Sequence, residues 1–223
     1  MTLTSPDKIV YSKGKITKQD VANYYRHIAP KILPYLKGRT LSLVRCPNGV
    51  GECHYFRQNP TVSSVKELLS HVQMNTIEFH INTPDIMVFD LDPGENVSLQ
   101  RLRRGARDLK SILDELGLQS TLKTTGGKGY HVMVPYPEDI SGQIAQLLEA
   151  KWPAKYTTNI RKDAREGKIF IDYLRNGPSS THIAPYSLRA RPTPTIALPI
   201  SWEELETTMP NHARLCSGWK CRH

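Results

Sequence analysis

The segment Ile86-Met-Val-Phe-Asp-Leu-Asp92, closed by Pro93-Gly94, leaves this chain little structural freedom. Side chains alternate across a strand, so Met87, Phe89 and Leu91 share one face and Asp90 and Asp92 share the other. Such a strand must bury its apolar face in a core and hold two carboxylates side by side on the opposite face. Pro93-Gly94 breaks it, because proline has no N–H for the ladder and glycine turns freely. Neighbouring like charges repel unless a cation lies between them. Hard divalent ions such as Mg²⁺ or Mn²⁺ take oxygen ligands of this kind. Two surface acids before a turn would give the same D-x-D pattern, so the motif alone leaves both readings open.

The surrounding pattern is mixed. Thr17-Lys-Gln-Asp20 resembles a capping box with Asp in place of Glu, and Val21, Tyr24, Tyr25, Ile28, Ile32 and Leu36 follow at helical spacing. Pro30 and Pro34 are expected to kink or end that helix. Leu41 to Arg45 reads as a strand entering a Pro47-Asn-Gly49 turn. Leu99, Leu102, Ala106, Leu109, Leu113 and Leu116 step by three and four, and Gly117 is placed to stop that helix. Strands are expected over Thr121 to Thr124, Tyr130 to Pro135 and Lys168 to Leu174, with a short helix from Ile144 to Ala150. Strands and helices without regular alternation favour the α+β class over a doubly wound sheet. A length of 223 residues suits one large or two small lobes.

Further residues point to phosphate chemistry. Asp172, in Ile169-Phe-Ile-Asp-Tyr173, is a third carboxylate at the polar position of a strand. Three aspartates suffice for the two ions that position the attacking and leaving oxygens in phosphoryl transfer. Thr124-Thr-Gly-Gly-Lys-Gly-Tyr-His131 supplies glycines that admit a phosphate close to the backbone, the Thr125 hydroxyl, the Lys128 charge and the His131 imidazole. It enters a strand, so it is not a P-loop, and an ordinary glycine hairpin remains its plain alternative. Arg165, Arg175, Arg189 and Arg191 flank Asp172 in sequence, and an arginine fork suits a triphosphate. Tyr55-Phe56 are adjacent aromatics able to stack on bases, although on a strand one of the two would normally be core.

Charge agrees with such a partner without deciding it. Thirty Lys and Arg against twenty-one Asp and Glu give +9, which favours a polyanion through counterion release. No stretch approaches the roughly 20 apolar residues of a membrane span, and the N-terminus lacks the build of a signal peptide, so a cytoplasmic protein without a membrane partner is expected. Cys46, Cys53, Cys216 and Cys221 are too few for a disulfide scaffold, and their spacings match no compact zinc pair. They are read as reduced thiols.

Four ordered segments carry a resemblance: Phe89-Asp-Leu-Asp-Pro-Gly94, Lys123-Thr-Thr-Gly-Gly-Lys-Gly-Tyr-His131, Ile169-Phe-Ile-Asp-Tyr-Leu-Arg-Asn176 and Ala184-Pro-Tyr-Ser-Leu-Arg189. Together with Pro6 to Tyr11, Ile16 to Lys18 and Leu43 to Gly49, they resemble the polymerase domain of ligase D. That family belongs to the archaeo-eukaryotic primase superfamily and serves prokaryotic non-homologous end joining. The resemblance implies a single primase-polymerase catalytic domain over residues 1–223, two sheet-and-helix lobes around an active-site cleft, with residues 1–80 binding DNA ends and 81–223 carrying the metal and nucleotide site. It implies Asp90, Asp92 and Asp172 as ligands of Mn²⁺ or Mg²⁺. Thr125, Lys128, His131, Arg165, Arg189 and His80 would then surround the incoming nucleoside triphosphate. Lys8 and Lys18 fall where the family holds a DNA 5′-phosphate, and Tyr55 and Phe56 where it stacks on template.

The implied activity is nucleotide addition to DNA ends or gaps, with ribonucleotides preferred. The end-binding protein Ku and a separate ligase are the suggested partners, and a monomer is expected. The chain departs from the family in being shorter near Asn59 to Ser63, near His80 to Thr83 and near Asp139 to Gly142. A metal-dependent nuclease is the enzymatic alternative, and a DNA-end binding module with a decayed site the non-enzymatic one.

Overall fold

The computed structural model describes residues 2–56, 60–135 and 138–216. In chain order its elements are β1 (Ile9–Tyr11), β2 (Ile16–Thr17), α1 (Lys18–Leu36), β3 (Leu41–Arg45), β4 (His54–Phe56), α2 (Val65–Gln73) and β5 (Thr76–Ile81). There follow β6 (Ile86–Pro93), α3 (Leu99–Glu115), β7 (Thr121–Thr124), β8 (Tyr130–Pro135), α4 (Ser141–Lys151), β9 (Tyr156–Thr157), β10 (Ile169–Asp172), β11 (His182–Ile183) and β12 (Pro199–Ile200). The class is α+β, as the irregular alternation led us to expect. The chain forms two compact units: Met1–Asn82 with Thr181–Leu198 and Asn211–His223, and Thr83–Ser180 with Pro199–Pro210. Each unit has its own hydrophobic core.

The first unit holds a four-stranded sheet in the order β11-β5-β3-β4 and a β1-β2 pair. Thr17 caps α1 through the anticipated box, its hydroxyl accepting from the Asp20 N–H while the Asp20 carboxylate accepts from the Thr17 N–H. Of the two expected outcomes, ending the helix does not occur: α1 runs through both Pro30 and Pro34. Both prolines lie on its exposed side, where a carbonyl that loses its intrahelical donor can turn to water. The buried stripe meanwhile continues through Ile32 and Leu36. Burying each of these contributes roughly 1.5–3 kcal/mol, which helps offset the cost of a helix proline, about 3 kcal/mol.

The cysteines depart from expectation as well. Pairing of β3 with β4 sets Arg45 opposite His54, so Cys46 and Cys53 lie just beyond a matched pair and are joined in a disulfide. Seven positions of separation mean little until that hairpin is drawn. Cys216 is a free, exposed thiol, and Cys221 lies outside the described residues.

The second unit is built on a six-stranded sheet, β12-β7-β8-β6-β10-β9, antiparallel except for β9 against β10. Met87, Phe89 and Leu91 are buried in its core, as the alternation of β6 requires. Helix α3 starts at an N-cap Ser98, buries Leu102, Ala106, Leu109, Ile112 and Leu113, and stops before Gly117, whose φ is +71°. Strand β10 is shorter than expected: the Leu174 N–H donates to the Asp172 carboxylate, and Leu174–Asn176 turn into a 3-10 helix. The expected departures from the family separate here. Only residues 82–85 join β5 to β6, and the Asp139 carboxylate accepts from the Ser141 N–H at the start of α4. Asn59 lies outside the described residues.

Candidate active site

One face of the second unit's sheet carries a row of functional groups. The register sets Asp172 opposite Asp90, Asp90 opposite His131, and His131 opposite Lys123 on the four adjacent strands β10, β6, β8 and β7. Residues directly opposite one another share a face, and Asp92, two positions along β6 from Asp90, shares it too. Sequence reasoning found every member of this row except Lys123. A cross-strand partner is invisible until register is known. Lys123 and His131 are buried, whereas Asp92 is half exposed.

Two glycines bring the flanking segments close. A Cβ on Gly129 would lie 2.2 Å from the Leu91 carbonyl oxygen, and one on Gly94 would lie 1.9 Å from that of Arg165. Neither position admits a side chain, so the Thr124–His131 turn packs directly on β6 and the Arg165 segment on its end. Within the turn the Thr125 hydroxyl donates to the Gly129 carbonyl at 2.9 Å and accepts from the Gly127 N–H at 3.1 Å. Thr125 thus braces the loop that displays the exposed Lys128.

The carboxylates face protein cations. Arg175 reaches two of them, Nε to Asp172 at 3.1 Å and NH2 to Asp90 at 3.8 Å. Arg165 lies 3.8 Å from Asp92 and stacks on Phe170 with 3.6 Å from Cζ to the ring centroid. His131 Nε2 is 3.4 Å from Asp90. Burial, followed by the charge of Asp90, pushes the Asp92 carboxyl above the ordinary carboxylate range. Burial also raises Asp172, with Asp90 adding to the rise against the opposing pull of Arg175. Sequence placed Arg175 in the neighbourhood but assigned it no contact; its reach across two strands follows from the 3-10 turn after Asp172.

Among the described residues no group of three or more His, Cys, Asp or Glu side chains stands in an arrangement that would hold a metal ion. Asp172 turns to Arg175, Asp90 to His131 and Arg175, and Asp92 to Arg165. The donor set still fits a hard divalent cation by its chemistry. It is all oxygen, on one face of two paired strands, with raised carboxyl pKa values that a cation would relieve.

The remaining candidates belong to the first unit, Arg189 among them, because residues 181–198 return to pair with β5. Glu78 accepts there from Arg189 Nε at 3.1 Å and from the Ala190 N–H at 2.7 Å, while His80 Nε2 lies 2.7 Å from its other oxygen. Tyr55 is exposed and packs edge-on against His80, whereas Phe56 is packed against the core beneath the Arg45 guanidinium. The two aromatics therefore take opposite faces of β4. Lys8 and Lys18 are neighbours: the Lys18 N–H donates to the Lys8 carbonyl, and the Lys18 ammonium pKa is lowered by burial and by the Lys8 charge. The Lys18 Nζ donates to the Gln73 carbonyl at 2.7 Å and the Lys8 Nζ donates to that of Pro47. Among the described residues no helix is long and apolar enough to cross a membrane.

The family model of the LigD primase-polymerase domain matches residues 17–64 and 57–217. The chain belongs to this family. It is 32% identical over 253 residues to the multifunctional non-homologous end joining protein LigD of Mycolicibacterium smegmatis, covering 95% of this chain and 33% of that protein. The corresponding LigD of Pseudomonas aeruginosa is 30% identical, with 92% of this chain and 29% of that protein covered. The chain thus spans about a third of the curated relatives it matches. Among solved structures, the polymerase domain of Mycobacterium tuberculosis ligase D in complex with DNA superposes with a TM-score of 0.89 at 32% identity, covering 97% of this chain and 91% of that one.

Proposed function

We propose that this chain is a LigD-type polymerase, a metal-dependent nucleotidyltransferase that adds nucleotides, ribonucleotides by preference, to DNA ends and gaps during non-homologous end joining. The observation that carries the reading is the Asp172–Asp90–His131 row with Asp92 beside it, flanked by the Lys128 turn and by Arg165. In the proposed reaction a primer 3′-hydroxyl attacks the α-phosphorus of a nucleoside triphosphate, and pyrophosphate leaves. A Mn²⁺ or Mg²⁺ pair held by Asp90, Asp92 and Asp172 would stabilise the attacking and leaving oxygens. Lys128, His131 and Arg165 neutralise triphosphate charge, and Thr125 keeps the turn open to it. His80 and Arg189 are read as further nucleotide contacts. Lys8 and Lys18 hold the 5′-phosphate of the downstream DNA end, and Tyr55 offers its exposed ring to the template, a role for which Phe56, packed on the core, is less well placed. Ku and a DNA ligase are the proposed partners, since the curated relatives are named as multifunctional end-joining proteins.

A labelled primer on a gapped duplex, incubated with Mn²⁺ and either ribo- or deoxyribonucleotides, tests this. Extension is expected, faster with ribonucleotides and with a 5′-phosphate across the gap, and Asp90→Ala abolishes it while DNA binding persists. Shortening of the primer would instead indicate a nuclease. A gel shift without product would indicate a binding module.

A further inference from the structure

Strand β10 stops pairing with β6 at Asp172, opposite Asp90, whereas β6 itself begins four positions earlier at Ile86. Val88 is fully buried and lies two positions from Asp90, and β10 offers it no partner. The side chain of Asn176 takes that place. The Val88 N–H donates to Asn176 Oδ1 at 2.7 Å, and Asn176 Nδ2 donates back to the Val88 carbonyl at 3.1 Å. A side-chain amide carries the donor and acceptor of a peptide group, so it can continue a ladder where the backbone has turned away. The Val88 N–H can only donate, which fixes which end of the amide is oxygen.

The same amide ties two further segments to this point. Its Nδ2 also donates to the Tyr173 carbonyl and to the Ser141 hydroxyl oxygen, both at 2.8 Å. The Ser141 O–H is itself directed to the Asp139 carboxylate at 2.5 Å, so the serine oxygen is the acceptor. The Asn176 N–H donates to the Tyr173 carbonyl as well, closing the 3-10 turn. That turn orients Asp172: the Leu174 N–H donates to one carboxylate oxygen and Arg175 Nε to the other, each at 3.1 Å. Asn176 thus connects the backbone of β6, two positions from Asp90, with the turn that holds the Asp172 carboxylate. All of these groups lie in the second unit.

We propose that Asn176 is a positioning residue for the metal site: it holds the Asp172 carboxylate in place opposite Asp90 without ligating the ion. The inference rests on the reading of Asp90, Asp92 and Asp172 as metal ligands, so the test separates the two. Mn²⁺ binding to the whole chain is followed by the electron paramagnetic resonance of free Mn²⁺, well below Tm, for Asn176→Ala, Asp172→Asn and the double variant. Circular dichroism and the metal-free Tm check that each variant is folded. Removing a contact that orients a metal ligand typically weakens binding roughly 10- to 100-fold, so Asn176→Ala is expected to raise the Mn²⁺ Kd about tenfold. The Mn²⁺ concentration for half-maximal primer extension should rise in parallel. The double variant should bind no more weakly than Asp172→Asn alone.

If Asp172→Asn leaves the Mn²⁺ affinity unchanged, the ligand reading is wrong and the proposal falls with it. If Asp172→Asn weakens binding while Asn176→Ala lowers only the metal-free Tm, Asn176 has a structural role alone and the proposal is refuted. Effects that multiply in the double variant refute it too. Should Asn176→Ala fail the folding check, Asn176→Gln, which keeps the amide but displaces it by one methylene, is read by the same criteria. In that variant an unchanged Kd likewise overturns the proposal.

Discussion

Glu78 in the first unit and the Asp90–Asp92–Asp172 set in the second are both carboxylate centres facing arginines, and they end in opposite electrostatic states. Glu78 is one acid among several donors, and its pKa falls to about 2. The aspartates crowd together and share Arg165 and Arg175, and two of them are pushed above the ordinary range. The difference separates two uses of a buried charge. A satisfied carboxylate organises its neighbours, whereas crowded carboxylates that share two arginines keep part of their mutual repulsion.

The sharpest way to break the comparison is to neutralise Glu78. Its folded pKa lies below the ordinary 4.5, so its ionisation contributes stability that is fully present above that value and is lost as pH falls from about 4.5 towards 2. Glu78→Gln is expected to destabilise the protein at pH 7 by about 3 kcal/mol, because it strands Arg189 and His80. Denaturant titrations should show the gap to the parent narrowing below pH 4.5. A gap independent of pH would mean that packing and not charge holds this centre.

The opposite centre should respond to cations. Adding Mn²⁺ or Mg²⁺ is expected to raise Tm by roughly 2–4 °C, equivalent to about 1 kcal/mol of binding linkage for a chain of this size. Asp172→Asn should remove most of that shift and Glu78→Asp none of it. An equal shift in Asp172→Asn would place the cation elsewhere.

The smallest effect has the reverse sign. A carboxyl whose folded pKa is raised lends stability only at pH below its ordinary value, and loses it as pH rises through the folded one. Metal-free Asp92→Asn should therefore be more stable than the parent at pH 7. The gain is held to a few tenths of a kcal/mol because the side chain is half exposed and screened, and it should vanish below about pH 4. A loss of stability at pH 7 would show that the pairing with Arg165 outweighs the repulsion.

The two centres also differ in how far they could be read in advance. Asp90 and Asp92 were legible because a period of two on one strand assigns faces without knowledge of any other strand. The capping box at Thr17 and the apolar stripe of α3 were legible for the same reason, since both are settled within one or two turns of chain. That Pro30 and Pro34 do not end α1 was not legible, because their effect depends on which side of α1 faces water. The Cys46–Cys53 bridge was missed because it follows from pairing β3 with β4.

The sequence by itself determined the local chemistry: which acids share a face, where Pro93-Gly94 breaks the strand, and which motifs align with the LigD family. Only the tertiary structure decided partnership. That Arg189 belongs with Glu78 and His80, 111 positions from Glu78, depends on β11 returning to the edge of β5. That Lys123 stands in line with His131, Asp90 and Asp172 depends on the register of four strands. The physical reason is the range of each rule. Backbone periodicity and steric limits act over a few residues, whereas hydrogen-bond pairing between strands is blind to sequence distance, and the electrostatic state of a carboxylate is set by whatever that pairing brings beside it.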